Sequence, residues 1–397
     1  MSHSVSIEEL TGVEVERELR RRILTGCYGP GQRIPPERQL EEEFGCSRLT
    51  IAKAMAPLVA EGMVTRHRGR GSFVAKLRQG GGARMVPTAQ NGGRAAARGN
   101  VVKYISPGHD QGGRSSRDDV LAGLHDVLDG AGYHVSVDFY SDLDQHLCCL
   151  EKADDPQIAG LALWPTPHER TVETVSMVLK HGLPIVLVDT YLPELDCDYA
   201  VTDNIEGAAM MVRHLAQLGH RRIAYLTAPV DRTSLLDRLS GFLRGMVEAG
   251  LPVDTHSVVR FEPSELAAGR QPDRAALERA VDRLLAGPEP PTAMFTSNDR
   301  LALPLLSVLQ ARGVRVPDEI TVAGYDGIEA GEFCSVPLTT IKQDFYQMAR
   351  IAARILLERF DGRAEPLRYH WQIKPQLTVR QSSAALGKPS GLLAARP

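Results

Sequence analysis

Two groups of polar residues have types and spacings that could do chemistry. The first is basic and lies near the N-terminus: Arg48, Thr50 and Lys53 fall on one turn-spaced stretch, and Arg68-Gly-Arg70 follows a short apolar run. Arginine and lysine hold phosphates, and arginine also matches the donor-acceptor edge of a guanine. Gly69 and Gly71 let a main chain approach another backbone closely. The second group sits at the ends of apolar runs further along. Ser106, Asp189, Asn298 with Asp299, and Asp326 each follow such a run, and Arg238 sits early in a helical pattern. One arginine, two or three carboxylates and an amide supply the donors and acceptors that neighbouring sugar hydroxyls require. Taken singly, a strand-end Asp or Asn is more often a helix cap, and a lone arginine a solvated charge.

The basic group belongs to a head of three short helices. Val13–Leu24 has an amphipathic pattern, and a glycine-proline loop ends it. Pro35 and Pro36 can open a second helix that runs through Leu40 to Phe44. Gly45 permits a tight turn, and Ser47 is a suitable N-cap for a third helix with a core stripe at Ile51, Met55 and Leu58. Pro57 is expected to bend that third helix. Met63–Arg66 and Ser72–Val74 flank the basic glycine-rich tip as a hairpin. Two helices about a tight turn, then a hairpin, predict a winged helix-turn-helix over residues 1–75, with Arg48, Thr50 and Lys53 at a major groove and Arg68 and Arg70 at backbone or minor groove.

The second group belongs to a larger body. Strands are predicted at Val101–Ile105, His134–Phe139, Ile158–Leu163, Pro184–Val188, Arg222–Leu226, Ser257–Phe261, Thr292–Phe295 and Ile320–Ala323. Helical patterns fill the intervals at Asp118–Gly130, Glu169–His181, Ile205–Gly219, Leu235–Gly250, Asp273–Ala286 and Arg300–Arg312, and Gln343–Phe360 follows the last strand. This alternation predicts an α/β fold with parallel sheets, and its length predicts two lobes with strand ends facing one cleft. Trp164 and Phe261 are aromatic candidates for that cleft, with core packing the more ordinary role.

Charge divides the 397 residues in the same way. Residues 1–100 hold 16 Lys+Arg against 10 Asp+Glu, whereas the rest hold 30 against 39, so a basic head precedes an acidic body. That asymmetry points to a polyanion as the partner of the head. Residues 76–100 carry six glycines and five basic residues without an acid, the composition of a flexible linker; residues 384–397 read as a disordered tail. Six cysteines show no Cys-x-x-Cys pair, so neither a zinc site nor a disulfide framework is expected, and no metal or cofactor is called for. No run approaches the roughly 18–20 apolar residues of a membrane helix, and residues 1–10 lack the apolar core of a secretory signal, so a cytoplasmic protein is expected.

Four ordered motifs in the head carry a resemblance: Pro30-Gly-Gln-Arg-Ile-Pro-Pro-Glu-Arg-Gln-Leu40, Phe44-Gly-Cys-Ser-Arg-Leu-Thr-Ile51, Leu58-Val-Ala-Glu-Gly62 and Arg68-Gly-Arg-Gly-Ser-Phe-Val74. They resemble the DNA-binding domain of the GntR family of bacterial regulators. That resemblance implies DNA contacts for Arg38, Arg48, Thr50, Arg68 and Gly69, and Ala52 stands where many relatives carry arginine. In the body, Arg238-Leu-Ser-Gly-Phe242, Thr296-Ser-Asn-Asp299, Gly324-Tyr-Asp326 and Pro337-Leu-Thr-Thr-Ile-Lys-Gln-Asp-Phe345 resemble the effector domain of the LacI/GalR regulators, itself similar to periplasmic sugar-binding proteins. The resemblance covers residues 101–383. It implies effector contacts for Asp189, Arg238, Asn298, Asp326 and Ser106, and a ring at Phe345 that stacks on a sugar. A GntR-like head on such a body resembles the arabinose-responsive repressors of bacteria. It implies a homodimeric repressor of carbohydrate genes that binds double-stranded operator DNA and answers to a neutral sugar. An activator, or a response to a nucleobase or other small polar metabolite, is the alternative. Neither a phosphate-binding loop nor a nucleophile elbow is present, which argues against an enzyme. The basic head argues against a transport binding protein.

Overall fold

The computed structural model describes residues 15–16, 18–19, 22, 28, 32–60, 64–67, 71–74, 99–108, 116–153, 155–253, 257–266, 272–361 and 368–387. The chain divides into two compact units, Met1–Arg94 and Ala95–Pro397.

In the head, α1 (Glu37–Phe44) ends on Gly45, whose φ of 63° is the left-handed conformation that glycine adopts without cost. α2 (Arg48–Ala60) begins at the expected cap: Ser47 Oγ accepts from the Thr50 N–H at 3.2 Å. Pro57 lies within α2, which continues to Ala60. Ile51, Met55 and Leu58 are buried against Val15, Leu19, Leu40, Phe44 and Val64. β1 (Val64–His67) and β2 (Gly71–Val74) pair antiparallel, and Ile34 N–H donates to Ser72 O at 2.9 Å, tying the hairpin to the chain before α1. This is a winged helix-turn-helix.

The body then runs β3 (Val101–Pro107), α3 (Ser116–Leu128), β4 (His134–Tyr140), α4 (Leu143–Glu151), β5 (Ile158–Leu163), α5 (Glu169–Lys180), β6 (Ile185–Val188), β7 (Asp198–Thr202), α6 (Asn204–Gln217), β8 (Ile223–Thr227), α7 (Thr233–Glu248), β9 (Val258–Arg260), α8 (Arg274–Leu285), β10 (Ala293–Thr296), α9 (Asp299–Ala311), β11 (Thr321–Asp326), β12 (Thr339–Lys342), α10 (Phe345–Phe360), β13 (His370–Ile373) and β14 (Gln376–Thr378). Two six-stranded sheets result. One has the order β13-β7-β6-β5-β3-β4 and is wholly parallel; the other is β14-β12-β11-β10-β8-β9, parallel except for β14. β5, β6, β8 and β10 are buried at every position, which is why they read as unbroken apolar runs.

The two lobes are not successive in the chain. The first lobe holds β3–β7, and the second begins with α6. After β12 the chain returns to the first lobe as α10, which packs on β5, β6 and β7, and as β13; β14 then closes the second sheet. Three crossings therefore join the lobes, at Asp203, at Gln343-Asp344 and at Lys374-Pro375. Residues 384–387 do not behave as a free tail. The Leu386 N–H donates to Leu218 O at 2.8 Å, and His220 Nε2 lies 3.1 Å from Ala384 O, so the ordered body extends past 383.

Candidate functional site

On the head, α2 turns Ile51, Met55 and Leu58 inward and presents the opposite face to solvent. Arg48 and Lys53 are exposed there, as is the apolar Leu49. Thr50 Oγ1 lies 2.9 Å from Ser47 Oγ, so its hydroxyl is held at the helix start. Arg48 Nε donates to Glu37 Oε2 at 3.1 Å, which anchors the first residue of α2 to the first residue of α1. Glu37 was not among the expected contacts; its signal was its place beside Arg38 in the Pro-Pro-Glu-Arg turn. Arg38 is exposed and lies 3.7 Å from Glu42. Arg68, Gly69 and Arg70 lie outside the described residues.

In the body, the candidate residues converge at the C-terminal ends of strands from both lobes. β6 delivers Asp189, β11 ends on Asp326, and β10 leads to Asn298. Asp189 (φ 65°) and Asp326 (φ 112°) are, among the described residues, the non-glycine positions with positive φ. Backbone in this region costs energy and persists where the surroundings over-determine it, commonly at ligand sites. Burial pushes the Asp189 carboxyl up to about 6 although Arg238 opposes the shift, and burial also raises Asp326, again against Arg238.

Arg238, on the first turns of α7, is 3% exposed and fully engaged. Its Nη2 meets Asp326 Oδ1 at 3.0 Å, Nε donates to Asn204 Oδ1 at 2.9 Å, and Nη1 donates to Ser297 O at 2.6 Å. The guanidinium lies over the Tyr325 ring at 3.9 Å. The expected pair of opposite charges is thus present and already joined.

Ser106 lies inside β3, which runs to Pro107 rather than stopping at Ile105; it is wholly buried and its Oγ makes no hydrogen bond. Asn298 serves as the N-cap of α9, its Oδ1 accepting from the Leu301 N–H at 2.8 Å, so the capping role applies to its oxygen. Its neighbour Asp299, the other polar residue after that strand, turns inward to the protein rather than to the cleft's Arg238. Oδ2 accepts from the Gly327 and Ile328 N–H groups at 2.7 and 2.9 Å, and Oδ1 from the Thr340 hydroxyl at 2.6 Å, which staples down the loop that carries Asp326. Phe345 is buried and stacks on Trp164 with centroids 5.7 Å apart, while Phe261 belongs to the core of the second lobe.

The lobes also touch directly beside Asp189. Thr190 Oγ1 and Ser234 Oγ are 3.1 Å apart, Thr233 Oγ1 accepts from the Tyr191 N–H and donates to Tyr191 O, and the Tyr191 hydroxyl donates to Asp237. The arrangement is a polar cleft with charges of both signs between the two lobes, suited to binding a small polar molecule.

A DNA-reading head and a two-lobed, ligand-shaped body define a ligand-responsive transcription regulator. Residues 11–74 match the model of the bacterial regulatory proteins of the gntR family, and residues 212–383 match that of a periplasmic binding protein-like domain. The chain is 27% identical over 387 residues to the arabinose metabolism transcriptional repressor of Halalkalibacterium halodurans, covering 95% of this chain and 98% of that one. It is 35% identical over 267 residues to the HTH-type transcriptional repressor PurR of Aliivibrio fischeri, covering 66% and 76% of the two chains. Among solved structures, a CelR-cellobiose complex superposes with a TM-score of 0.63 at 22% identity, over 91% of this chain and 94% of that one. A LacI-family regulator of Enterococcus faecium with bound ribose gives 0.58 at 20% identity, over 72% and 99%. The chain belongs to the bacterial transcription regulators that join a GntR-family DNA-binding domain to a periplasmic-binding-protein-like domain.

Proposed function

We propose that the protein is a cytoplasmic, homodimeric repressor of carbohydrate-metabolism genes whose grip on operator DNA is set by a neutral sugar in the inter-lobe cleft. The observation that carries this reading is the pair of strand-end carboxylates, the buried Asp189 and the partly buried Asp326, held at positive φ around Arg238. Carboxylates accept from hydroxyls and arginine donates to them, so a polyhydroxyl ligand satisfies both, whereas a phosphate would face two repelling carboxylates. The name of the Halalkalibacterium halodurans relative supports arabinose as the first sugar to try. In this reading Ser106, Asn298 and Phe345 line the same site. Arg48, Thr50 and Lys53 enter the major groove, Arg38 adds a DNA contact, and Arg68, Gly69 and Arg70 hold the backbone or minor groove. Residues 1–75 serve as the DNA-binding domain, and the body supplies both the effector site and the dimer contact.

A ligand that binds only the folded body stabilises it in proportion to RT ln(1 + [L]/Kd). Thermal shift with arabinose, other free pentoses and hexoses, their phosphates and nucleobases should single out a free sugar, and Arg238→Ala should abolish the shift. A shift from phosphosugars or nucleobases alone, or a full shift in Arg238→Ala, sinks the reading.

A further inference from the structure

The three segments where the chain passes between lobes must absorb the torsion of any lobe rotation. Two of them are bonded directly to the Arg238–Asp326 pair. Asn204, one residue after the first crossing, accepts from Arg238 Nε at 2.9 Å and donates from Nδ2 to Thr202 O at 3.1 Å, so one amide spans the passage from β7 to α6. Gln343, at the second crossing, donates from Nε2 to Asp326 Oδ1 at 2.9 Å, and its N–H donates to Asp326 O at 3.1 Å. The third crossing is tied to the first by the Asp203 N–H, which donates to Ile373 O at 2.9 Å. Asn204, Gln343 and Arg238 are all at least 95% buried. The ion pair is therefore bonded directly to two crossings and linked to the third through the first.

We propose that Asn204 and Gln343 are positioning residues that make the Arg238–Asp326 pair the coupling element between cleft and hinge. The idea rests on the reading above that Arg238 and Asp326 take the effector. Asp326 Oδ1 already accepts from both Arg238 and Gln343, so a hydroxyl that recruits it competes with the second crossing. A hydroxyl that draws on Arg238 competes with Asn204 at the first. Binding at the pair thereby carries a differential free energy between lobe arrangements, which is what a population shift requires.

The test uses the full chain without any sugar, so its outcome is independent of the effector's identity. Hydrogen exchange is followed on peptides covering the first crossing (199–206) and the third (371–376), and on the sheet strands 158–163 and 223–227. Gln343→Leu alters only the second crossing, yet exchange at the first and third should rise about tenfold while the strands stay within about twofold. Asn204→Leu should do the same. Asn204→Asp, which keeps an acceptor for Arg238 Nε but loses the donor to Thr202 O, should accelerate the first crossing and leave the third at the wild-type rate. Unchanged exchange at the remote crossings in both leucine variants overturns the proposal. So does equal acceleration of the third crossing in Asn204→Asp and Asn204→Leu, or acceleration that spreads to the strands in every variant.

Discussion

Asp189 places a charge where the solvent cannot stabilise it, and that conflict has a measurable consequence. Its carboxyl is pushed up to about 6 from the ordinary value of 3.8, so the folded protein holds a proton that the unfolded chain has released. Its contribution favours folding below pH 3.8 and is lost as the pH rises through about 6. Asp189→Asn should therefore stabilise the sugar-free protein by about 1–3 kcal/mol at pH 7.5, with the gain shrinking towards pH 4. Melts of both proteins at the two pH values check this. The same substitution should weaken sugar binding, since a carboxylate acceptor becomes half amide donor. On the head, Arg48→Ala should cost about 1–3 kcal/mol on operator and little on random DNA, read by titration at fixed salt. Equal losses on both DNAs would remove Arg48 from base reading.

Elements with strong apolar periods were legible before any coordinates. The three-residue stripe of α2, the glycine stop of α1 and the buried strands β5, β6 and β8 follow from spacing alone, because hydrophobic burial is what forms them. The elements that escaped are polar or short. β12 reads Thr-Thr-Ile-Lys, and its threonines are buried by hydrogen bonds to Asp299 and to the segment at Arg380 rather than by apolar packing. β7 opens on Asp198, which is buried with Arg359 of α10, 161 residues away, gripping both its oxygens at 2.7 and 2.8 Å and the Tyr369 N–H donating to it at 2.8 Å. No local window holds that information. α4 did carry a signal, Asp142 three residues before Gln145, and the Asp142 cap is present at 2.9 Å. Of the cleft, motif resemblance located the charged residues and strand-end spacing named the cap that Asn298 forms, but the joining of Arg238 to Asp326 needed the geometry.

Helix packing supplies two further tests at this scale. α6 and α7 approach closely at Gly241, where a Cβ would overlap the Ile205 carbonyl. Gly241→Ala should destabilise the body by about 1–3 kcal/mol in denaturant titration, because backbone cannot yield as a side chain does. α4 buries His146 completely, its ring tilted against that of Tyr140 with centroids 4.3 Å apart and neither ring nitrogen hydrogen-bonded. Burial lowers its pKa from 6.5 to about 4. The unfolded chain thus takes up a proton that the folded one refuses, and stability that is whole above pH 6.5 falls as the pH drops towards 4. His146→Phe should flatten that acid limb, measured as the urea midpoint at pH 5 against pH 7.5.

For the molecule as a whole, the opposed charges of head and body separate two behaviours. Affinity of the full chain for random DNA should fall steeply with salt, by about one unit of log-log slope for each phosphate contact, whereas sugar binding should be nearly indifferent to salt. Residues 99–397 alone should keep the sugar-dependent shift and sediment as a dimer; a monomer at micromolar concentration would remove the homodimer from the proposal.

The return of the chain to both sheets also dictates an order of events during synthesis. The head's described core ends at Val64 and its second strand at Val74, so it can fold once slightly less than a fifth of the chain has left the ribosome. Neither sheet of the body can finish until β13 and β14, residues 370–378, have emerged. A nascent chain therefore spends most of its elongation with a folded head and an unfinished body, the edges at β7 and β12 waiting for the last strands. A message truncated anywhere between those points would yield a finished head tethered to a body whose two sheets lack their final strands.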